Sequence, residues 1–242
     1  MNREYHTWHS PALSQELELL VFGHAGARVL VFPTRDGRFF DYEDWRMVAA
    51  LGQKIEAGEL QLYCLDSIDR QSLYANWARP EDRMRRHLDY ERYVLDEVIP
   101  FTQERNEHPT LVAHGCSLGA FHAMNLALRH PQTVNRVVAF SGRYDLTESV
   151  GSFRGLFDGH YDETIYFNTP THFLANLTDE VLLAQLRRLE IVFTIGRDDA
   201  FFPNNERLAS LLNEKAIAHQ FAIWDGEAHR PRYWRPMARL YL

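Results

Sequence analysis

The sequence has few of the features that mark several large classes of protein. It contains two cysteines, Cys64 and Cys116, among 242 residues, which argues against a disulfide framework and predicts two reduced thiols. No apolar stretch is long enough for a membrane span. Residues 1–18 are polar and charged and contain no apolar segment typical of a secretory signal. From these absences we expect a soluble, cytoplasmic protein.

An excess of positive charge is also absent. The formal net charge is −7, from 26 basic and 33 acidic residues, and no run of lysine or arginine stands alone. This argues against nucleic acid or an anionic membrane as the main partner. No histidines are spaced as H-x-x-x-H or H-E-x-x-H, which argues against a metal site built from such a pair. We expect no metal and no cofactor.

The sequence does contain many apolar residues, and their spacing alternates along the chain between patterns typical of strands and patterns typical of helices. Hydrophobic residues make up 45% of the chain and aromatic residues 13%, enough for a buried sheet with helices on both faces. The length fits one α/β domain over residues 1–242. Short connections predict a mostly parallel central sheet. Strands are predicted at 3–10, 16–22, 28–32, 60–65, 110–113, 134–141, 190–195 and 218–224, with 16–22 and 28–32 forming a hairpin.

Helical spacing predicts helices at 45–57, 81–98, 117–129, 178–188, 206–215 and 231–241. Pro100 is expected to close the second helix, and Asn204 or Asn205 to cap the fifth. The alternation breaks in an insertion near residues 142–188, which is rich in aromatic residues and glycine. The insertion could form a wall or lid over a site, or it could be an ordinary packed excursion.

Gly115-Cys116-Ser117-Leu118-Gly119 joins an apolar strand to a helical pattern. In this context G-x-S-x-G is a nucleophile elbow, a strained turn that lifts the serine hydroxyl above the sheet. A Cβ at either glycine would collide with the neighbouring strand or helix. The backbone N–H of Leu118 opens the helix and could stabilise an oxyanion. A second donor is expected from the loop after strand 28–32, either Arg35 or Asp36.

A serine hydroxyl needs a base to remove its proton and a carboxylate to hold that base. Asp198 and Asp199 follow one predicted strand and His229 follows the last. The chain therefore has the order serine, acid, histidine, with all three beyond the carboxyl ends of parallel strands. Asp199 is favoured over Asp198, because there the chain is leaving the strand and can turn inward. Cys116 is rejected as the nucleophile, since the elbow exposes its third residue.

None of the other histidines considered follows the last strand as His229 does. His114 would pack beneath the elbow, whereas His160 and His172 lie in the insertion and could touch a substrate. His130 marks a helix end and His219 begins a strand.

Several segments together resemble the putative-esterase branch of the α/β hydrolases, the group related to esterase D and often labelled polyhydroxybutyrate-depolymerase-like. The segments are 29–34 with Gly37, 115–123 with 129–131, 141–146, 166–170, and 228–229 with Tyr233 and Trp234. The resemblance covers nearly the whole chain. It implies an α/β-hydrolase fold and a serine esterase that uses Ser117, an aspartate at 198 or 199, and His229.

The chain departs from this family immediately after His229. Arg230-Pro231-Arg232 stands where these proteins often carry Asp-Trp-Pro. The added positive charge could favour an anionic acyl or leaving group, or it could be surface only.

The sequence thus predicts a serine esterase that acts on a small-molecule carboxylic ester or thioester through a Ser-His-Asp triad and an acyl-enzyme. One alternative is an acyltransferase with the same triad. Another is a non-catalytic binding protein of the same fold, in which His229 would lie far from Ser117. The natural substrate and the oligomeric state are left open.

Overall fold

A twisted sheet of eight strands forms the centre of the protein. The computed structural model describes all residues from 1 to 242. The strands are β1 (Arg3–Ser10), β2 (Gln15–Phe22), β3 (Ala27–Phe32), β4 (Leu60–Leu65), β5 (Leu111–Cys116), β6 (Arg136–Phe140), β7 (Glu190–Gly196) and β8 (His219–Trp224). Their spatial order is β1-β2-β4-β3-β5-β6-β7-β8. Neighbouring strands pair in parallel from β4 through to β8. The pairs β1–β2 and β2–β4 are antiparallel. The predicted α/β class with a mostly parallel sheet is confirmed.

The helices cover both faces of the sheet. They are α1 (Asp41–Asp44), α2 (Met47–Ala50), α3 (Gly52–Glu56), α4 (Pro80–Tyr93), α5 (Ile99–Arg105), α6 (Leu118–Arg129), α7 (Glu163–Phe167), α8 (Pro170–Asn176), α9 (Glu180–Leu186), α10 (Phe202–Glu214) and α11 (Pro231–Tyr241). Side chains alternate along β3: Leu30 and Phe32 pack towards α4, α6 and α10, and Val29 and Val31 towards α2, α3 and α11. This period of two fits a strand buried between two helical layers.

The predicted hairpin of β2 and β3 is wrong, because β4 lies between them and pairs with both. The true hairpin joins β1 and β2, with Ser10 opposite Gln15. Two strands flanking a third lie about 10 Å apart, and the four-residue connection 23–26 can span that distance at about 3.5 Å per residue. The short connection was therefore compatible with both arrangements.

Two helix predictions also need correction. The helix after β4 does not end at Pro100: a π-helical turn, Val94–Val98, leads directly into α5, where Pro100 occupies the first turn. A proline lacks the N–H for a helical bond and its ring crowds the carbonyl four residues earlier; here the residues before it form the π-helical turn, and the chain stays helical to Arg105. α10 begins at Phe202, so Asn204 and Asn205 lie inside it. They bond to the backbone at Tyr144 and Gly142, and so hold the start of the insertion.

The insertion begins where β6 ends. Residues 142–162 are mostly irregular, and α7, α8 and α9 follow. The stretch therefore lies beyond the carboxyl edge of the parallel strands, beside the ends of β5, β7 and β8. None of the helices combines the length and apolar composition that a membrane crossing requires.

Candidate active site

Ser117 lies in a strained turn between β5 and α6. Its backbone has φ 56° and ψ −119°, a positive φ that a residue with a Cβ rarely adopts. A Cβ on Gly115 would lie 2.3 Å from the carbonyl carbon of Gly119, and one on Gly119 would lie 2.3 Å from the carbonyl oxygen of Phe32. The helix can therefore start this close to the sheet only because both positions are glycine. The Ser117 N–H donates to the Phe140 carbonyl at 2.8 Å and ties the turn to β6.

The imidazole of His229 lies between the serine and a buried carboxylate. Its Nε2 is 3.0 Å from Ser117 Oγ, and its Nδ1 is 2.6 Å from Asp199 Oδ2. Asp199 is 5% exposed, whereas the neighbouring Asp198 is exposed and only its backbone contacts this region, through an N–H bond to Gly226. The three side chains placed together by the sequence analysis thus form one hydrogen-bonded line, with Asp199 as its acid.

The Asp199 carboxylate has little freedom to rotate. One oxygen faces His229, and the other accepts the Phe201 N–H at 2.9 Å. The Asp199 N–H closes a turn onto the Gly196 carbonyl at 3.1 Å. A carboxylate fixed in this way holds the imidazole in one orientation and favours a proton on its Nδ1.

Ser141 positions the loop that carries His229. Its buried hydroxyl donates to the Ala228 carbonyl and accepts from the indole N–H of Trp234, each at 3.0 Å. A Cβ on Gly196 would lie 2.0 Å from the carbonyl oxygen of Glu227, so this loop also packs directly on the end of β7. Neither Ser141 nor Trp234 was assigned a role from the sequence, although both lie in segments that carry the family resemblance.

The backbone N–H groups of Leu118 and Arg35 make no hydrogen bond to protein. Both residues line the same cavity as Ser117. The N–H of Asp36, by contrast, donates to Asp69 Oδ2 at 2.9 Å. Of the two loop donors left open by the sequence, Arg35 is therefore the one with a free N–H.

The cavity in front of Ser117 has a volume of about 420 Å³, within the range of small-molecule sites. Its other lining residues are Thr34, Trp45, Tyr74, Arg143, Phe153, Phe201, His229, Pro231 and Trp234. Arg143 and Phe153 come from the insertion, which therefore forms part of the pocket wall. The insertion's two histidines, His160 and His172, do not line this cavity.

His114, directly before the elbow, has a structural role. His114 is fully buried beneath the turn, with Nε2 2.9 Å from the Tyr42 hydroxyl and Nδ1 2.7 Å from the Val138 carbonyl. Burial lowers the pKa of His114 to about 4, so the ring is neutral at neutral pH. His172 bonds to Asp145 and Tyr161 on a separate surface pocket.

Comparison with known proteins places the chain among esterases. Residues 25–237 match the family model described as "Putative esterase". No curated protein sequence matches the chain.

Solved structures share the fold over nearly the whole chain, at low sequence identity. A ferulic acid esterase has a TM-score of 0.74 and 16% identity, covering 100% of this chain and 96% of that one. An S-formylglutathione hydrolase from Agrobacterium tumefaciens has a TM-score of 0.70 and 14% identity, covering 99% and 92%. A fluorophosphonate-binding serine hydrolase from Staphylococcus aureus has a TM-score of 0.68 and 15% identity, covering 99% and 96%.

The family match spans both Ser117 and His229, and the shared fold extends over nearly every strand and helix described above. The chain therefore belongs to the esterase family of the α/β-hydrolase superfamily and is a hydrolytic enzyme.

Proposed function

We propose that this enzyme hydrolyses small carboxylic esters or thioesters through an acyl-enzyme on Ser117. His229 acts as general base and then as general acid, and Asp199 orients it. The observation that supports the proposal most directly is the continuous hydrogen-bonded line from Ser117 Oγ through the imidazole to the Asp199 carboxylate.

In the first step His229 Nε2 removes the proton of Ser117 Oγ as the oxygen attacks the carbonyl carbon of the ester. The carbonyl π bond opens, and its electrons move to the oxygen. The backbone N–H groups of Leu118 and Arg35 then donate to this oxyanion, which accounts for their lack of protein partners. The buried Asp199 carboxylate stabilises the imidazolium that forms.

Collapse of the tetrahedral intermediate breaks the bond to the leaving group. The imidazolium gives its proton to the departing alcohol or thiol, and the acyl group stays on Ser117. Water then takes the place of the leaving group beside His229, which accepts one of its protons. Attack by the resulting hydroxide forms a second tetrahedral intermediate. Its collapse breaks the bond to Ser117 Oγ, and the imidazolium returns its proton to that oxygen as the carboxylic acid leaves.

The proposal is tested with p-nitrophenyl acetate and a fluorophosphonate probe. Wild-type protein should hydrolyse the ester and be labelled at Ser117. Ser117→Ala should lose the label and about 10⁴- to 10⁶-fold in turnover. Ser152→Ala, a change at an exposed serine of the insertion, is the matched control and should behave as wild type. The proposal fails if the wild type reacts with neither reagent, or if Ser117→Ala turns over normally.

The two alternatives are separated by further observations. An acyltransferase would pass the acyl group to an added alcohol in preference to water, so product analysis with and without an alcohol acceptor distinguishes it from a hydrolase. A non-catalytic protein of this fold would have His229 far from Ser117, and these side chains are 3.0 Å apart.

A further inference from the structure

The cavity in front of Ser117 has an unbalanced charge. Two arginines, Arg35 and Arg143, belong to its lining, and no aspartate or glutamate does. The chain as a whole has a formal net charge of −7, so this positive pocket runs against the overall composition. Two cations without an acidic partner inside one cavity point to a ligand that supplies the negative charge.

Arg143 gives the stronger indication of an anionic ligand, because it is only 5% exposed. Its Nε donates to the Asp145 carbonyl, and its Nη2 donates to the carbonyls of Glu148 and Arg154. All three acceptors are neutral carbonyls, and no carboxylate bonds to Nη1. Arg83, which is as deeply buried, pairs with the carboxylate of Asp158 at 2.9 Å.

The carboxylates of Asp145 and Glu148 do not form an ion pair with Arg143. The Asp145 carboxylate is occupied by His172 at 2.9 Å and by the hydroxyl of Thr147 at 2.6 Å, and Glu148 is exposed. Burial lowers the pKa of Arg143 despite the influence of Tyr74 and these two carboxylates. A buried guanidinium without a carboxylate partner is stabilised strongly by an anion that reaches it.

Arg35 and Arg143 are linked by the side chain of Tyr74. The guanidinium of Arg35 lies 5.3 Å from the centroid of the Tyr74 ring and has no carboxylate partner. Burial raises the pKa of Tyr74 even though Arg143 and Arg35 oppose it, so the phenol keeps its proton at neutral pH and can donate. We refer to Arg35, Tyr74 and Arg143 together as the arginine wall.

We propose that the arginine wall binds a carboxylate carried by the substrate, so that the preferred esters are anionic. Both sources of that charge fit the same chemistry: a monoester of a dicarboxylic acid, with the charge on the acyl side, or an ester of a carboxylate-bearing alcohol. The inference rests on the proposed esterase function. It differs from the expectation drawn from Arg230 and Arg232, because neither of these lines the cavity.

The first test uses wild-type enzyme and matched pairs of esters. For the acyl side, mono-p-nitrophenyl succinate, glutarate and adipate are compared with p-nitrophenyl esters of neutral acids of the same length. For the alcohol side, 4-carboxyphenyl acetate is compared with 4-carbamoylphenyl acetate. In either the acyl-side or the alcohol-side comparison, the anionic ester should have a kcat/KM about 10- to 100-fold higher than that of its neutral partner. This is the effect expected of a charge-assisted hydrogen bond.

Direct binding of the carboxylate and long-range attraction by the positive charge of the pocket predict different dependences of kcat/KM on the ester. If the arginine wall binds the carboxylate, the acyl-side preference should peak at one chain length, or appear only in the alcohol arm. A preference that is uniform across lengths and both arms, and disappears at high salt, would be general steering and would overturn the inference. Equal rates for anionic and neutral esters would overturn it too, while turnover of the neutral esters through Ser117 would leave the proposed function intact.

The second test removes each positive charge. Arg35→Gln and Arg143→Gln should each reduce the ratio of anionic to neutral kcat/KM by about tenfold or more. Arg232→Gln is the matched control: it removes an exposed arginine close to His229 that does not line the cavity, and it should leave the ratio and the basal activity unchanged. Equal loss in Arg232→Gln and Arg35→Gln would contradict the assignment.

Arg143 also holds three backbone carbonyls, so its variant could unfold. The thermal unfolding midpoint is therefore measured for each variant. If Arg143→Gln does not fold, competition in the wild type decides: free glutarate should inhibit hydrolysis of a neutral ester at concentrations where glutaramide does not. Equal inhibition by the acid and the amide would overturn the inference.

Discussion

The backbone N–H of Asp36 donates to the carboxylate of Asp69 across 2.9 Å, joining the loop after β3 to the segment after β4. Asp69 is 2% exposed, and its own carbonyl accepts the Tyr74 N–H at 2.8 Å. Asp36 has φ 55°, so the loop turns sharply at the residue that is held. Because the Asp36 N–H is occupied, Arg35 is the one of these two residues whose N–H is left for the proposed oxyanion. In the proposed mechanism Asp69 would therefore act as a positioning residue, through the loop that carries Arg35.

Replacing Asp69 by alanine should lower kcat and leave KM nearly unchanged. Without its acceptor the Asp36 N–H is released, and the Arg35 N–H no longer has a fixed direction. Complete loss of one oxyanion donor costs about 10²- to 10³-fold in kcat, and a displaced donor should cost about 10- to 100-fold. Asp69→Asn keeps an acceptor oxygen and should retain most of the activity. Equal kcat in Asp69→Ala and the wild type, measured with p-nitrophenyl acetate, would rule out the positioning role.

The two adjacent aspartates provide a matched pair for the triad. Asp199→Asn should reduce kcat about 10⁴-fold, because the amide favours the wrong tautomer of His229 while preserving the shape of the site. Asp198→Asn changes an exposed neighbour, and its kcat should stay within about twofold of wild type. Steady-state kinetics on both variants decide the assignment. Comparable activity in the two variants, or the larger loss in Asp198→Asn, would contradict Asp199 as the acid.

The contact between α6 and β3 can be tested through Gly119. A Cβ there would lie 2.3 Å from the Phe32 carbonyl oxygen, so Gly119→Ala must push the helix away from the sheet. We expect a loss of about 3 kcal/mol or more in the free energy of unfolding, at the upper end for overpacking. Gly52→Ala is the control, since nothing lies within 4 Å of its added Cβ. It should be neutral or slightly stabilising. Similar unfolding midpoints in urea for the two variants would contradict this packing argument.

The sequence was sufficient for those parts of the site that depend on the order of strands. Parallel strands end at one edge of a sheet, so a serine after β5, an aspartate after β7 and a histidine after β8 were expected to converge. The elbow could also be predicted, because its pentapeptide and the strand and helix patterns on either side are adjacent in the chain.

The features that the sequence could not settle depend on contacts between distant segments. The choice between Arg35 and Asp36 rests on a hydrogen bond to Asp69, 33 residues away. The place of β4 between β2 and β3 is set by strand pairing, which the four-residue connection does not specify. Arg143 lines the cavity from an irregular segment, and such a segment has no periodicity from which to predict which residues will do so.

His87 should make the fold sensitive to acid. It is buried against Phe121 and His122, with ring centroids 5.9 and 5.5 Å away, and neither ring nitrogen has a hydrogen-bond partner. Burial, followed by the charge of His122, lowers the pKa of His87 to about 3, against about 6.5 for a histidine in the unfolded chain. Between these values the unfolded state binds more protons than the native state, so stability must fall as the pH falls from about 6.5 towards 3.

His87→Leu should reduce this dependence. Leucine cannot bind a proton and leaves no unpaired polar atom, so at pH 7 the variant should be as stable as the wild type or slightly more stable. Urea unfolding at pH 7 and pH 4.5 should show the wild type losing about 1 to 3 kcal/mol more than the variant. The other acid-sensitive groups are common to both proteins and cancel in this difference. His24→Gln, at an exposed histidine, should keep the wild-type profile, and parallel profiles for His87→Leu and the wild type would mean that the buried imidazole is protonated as readily as a free one.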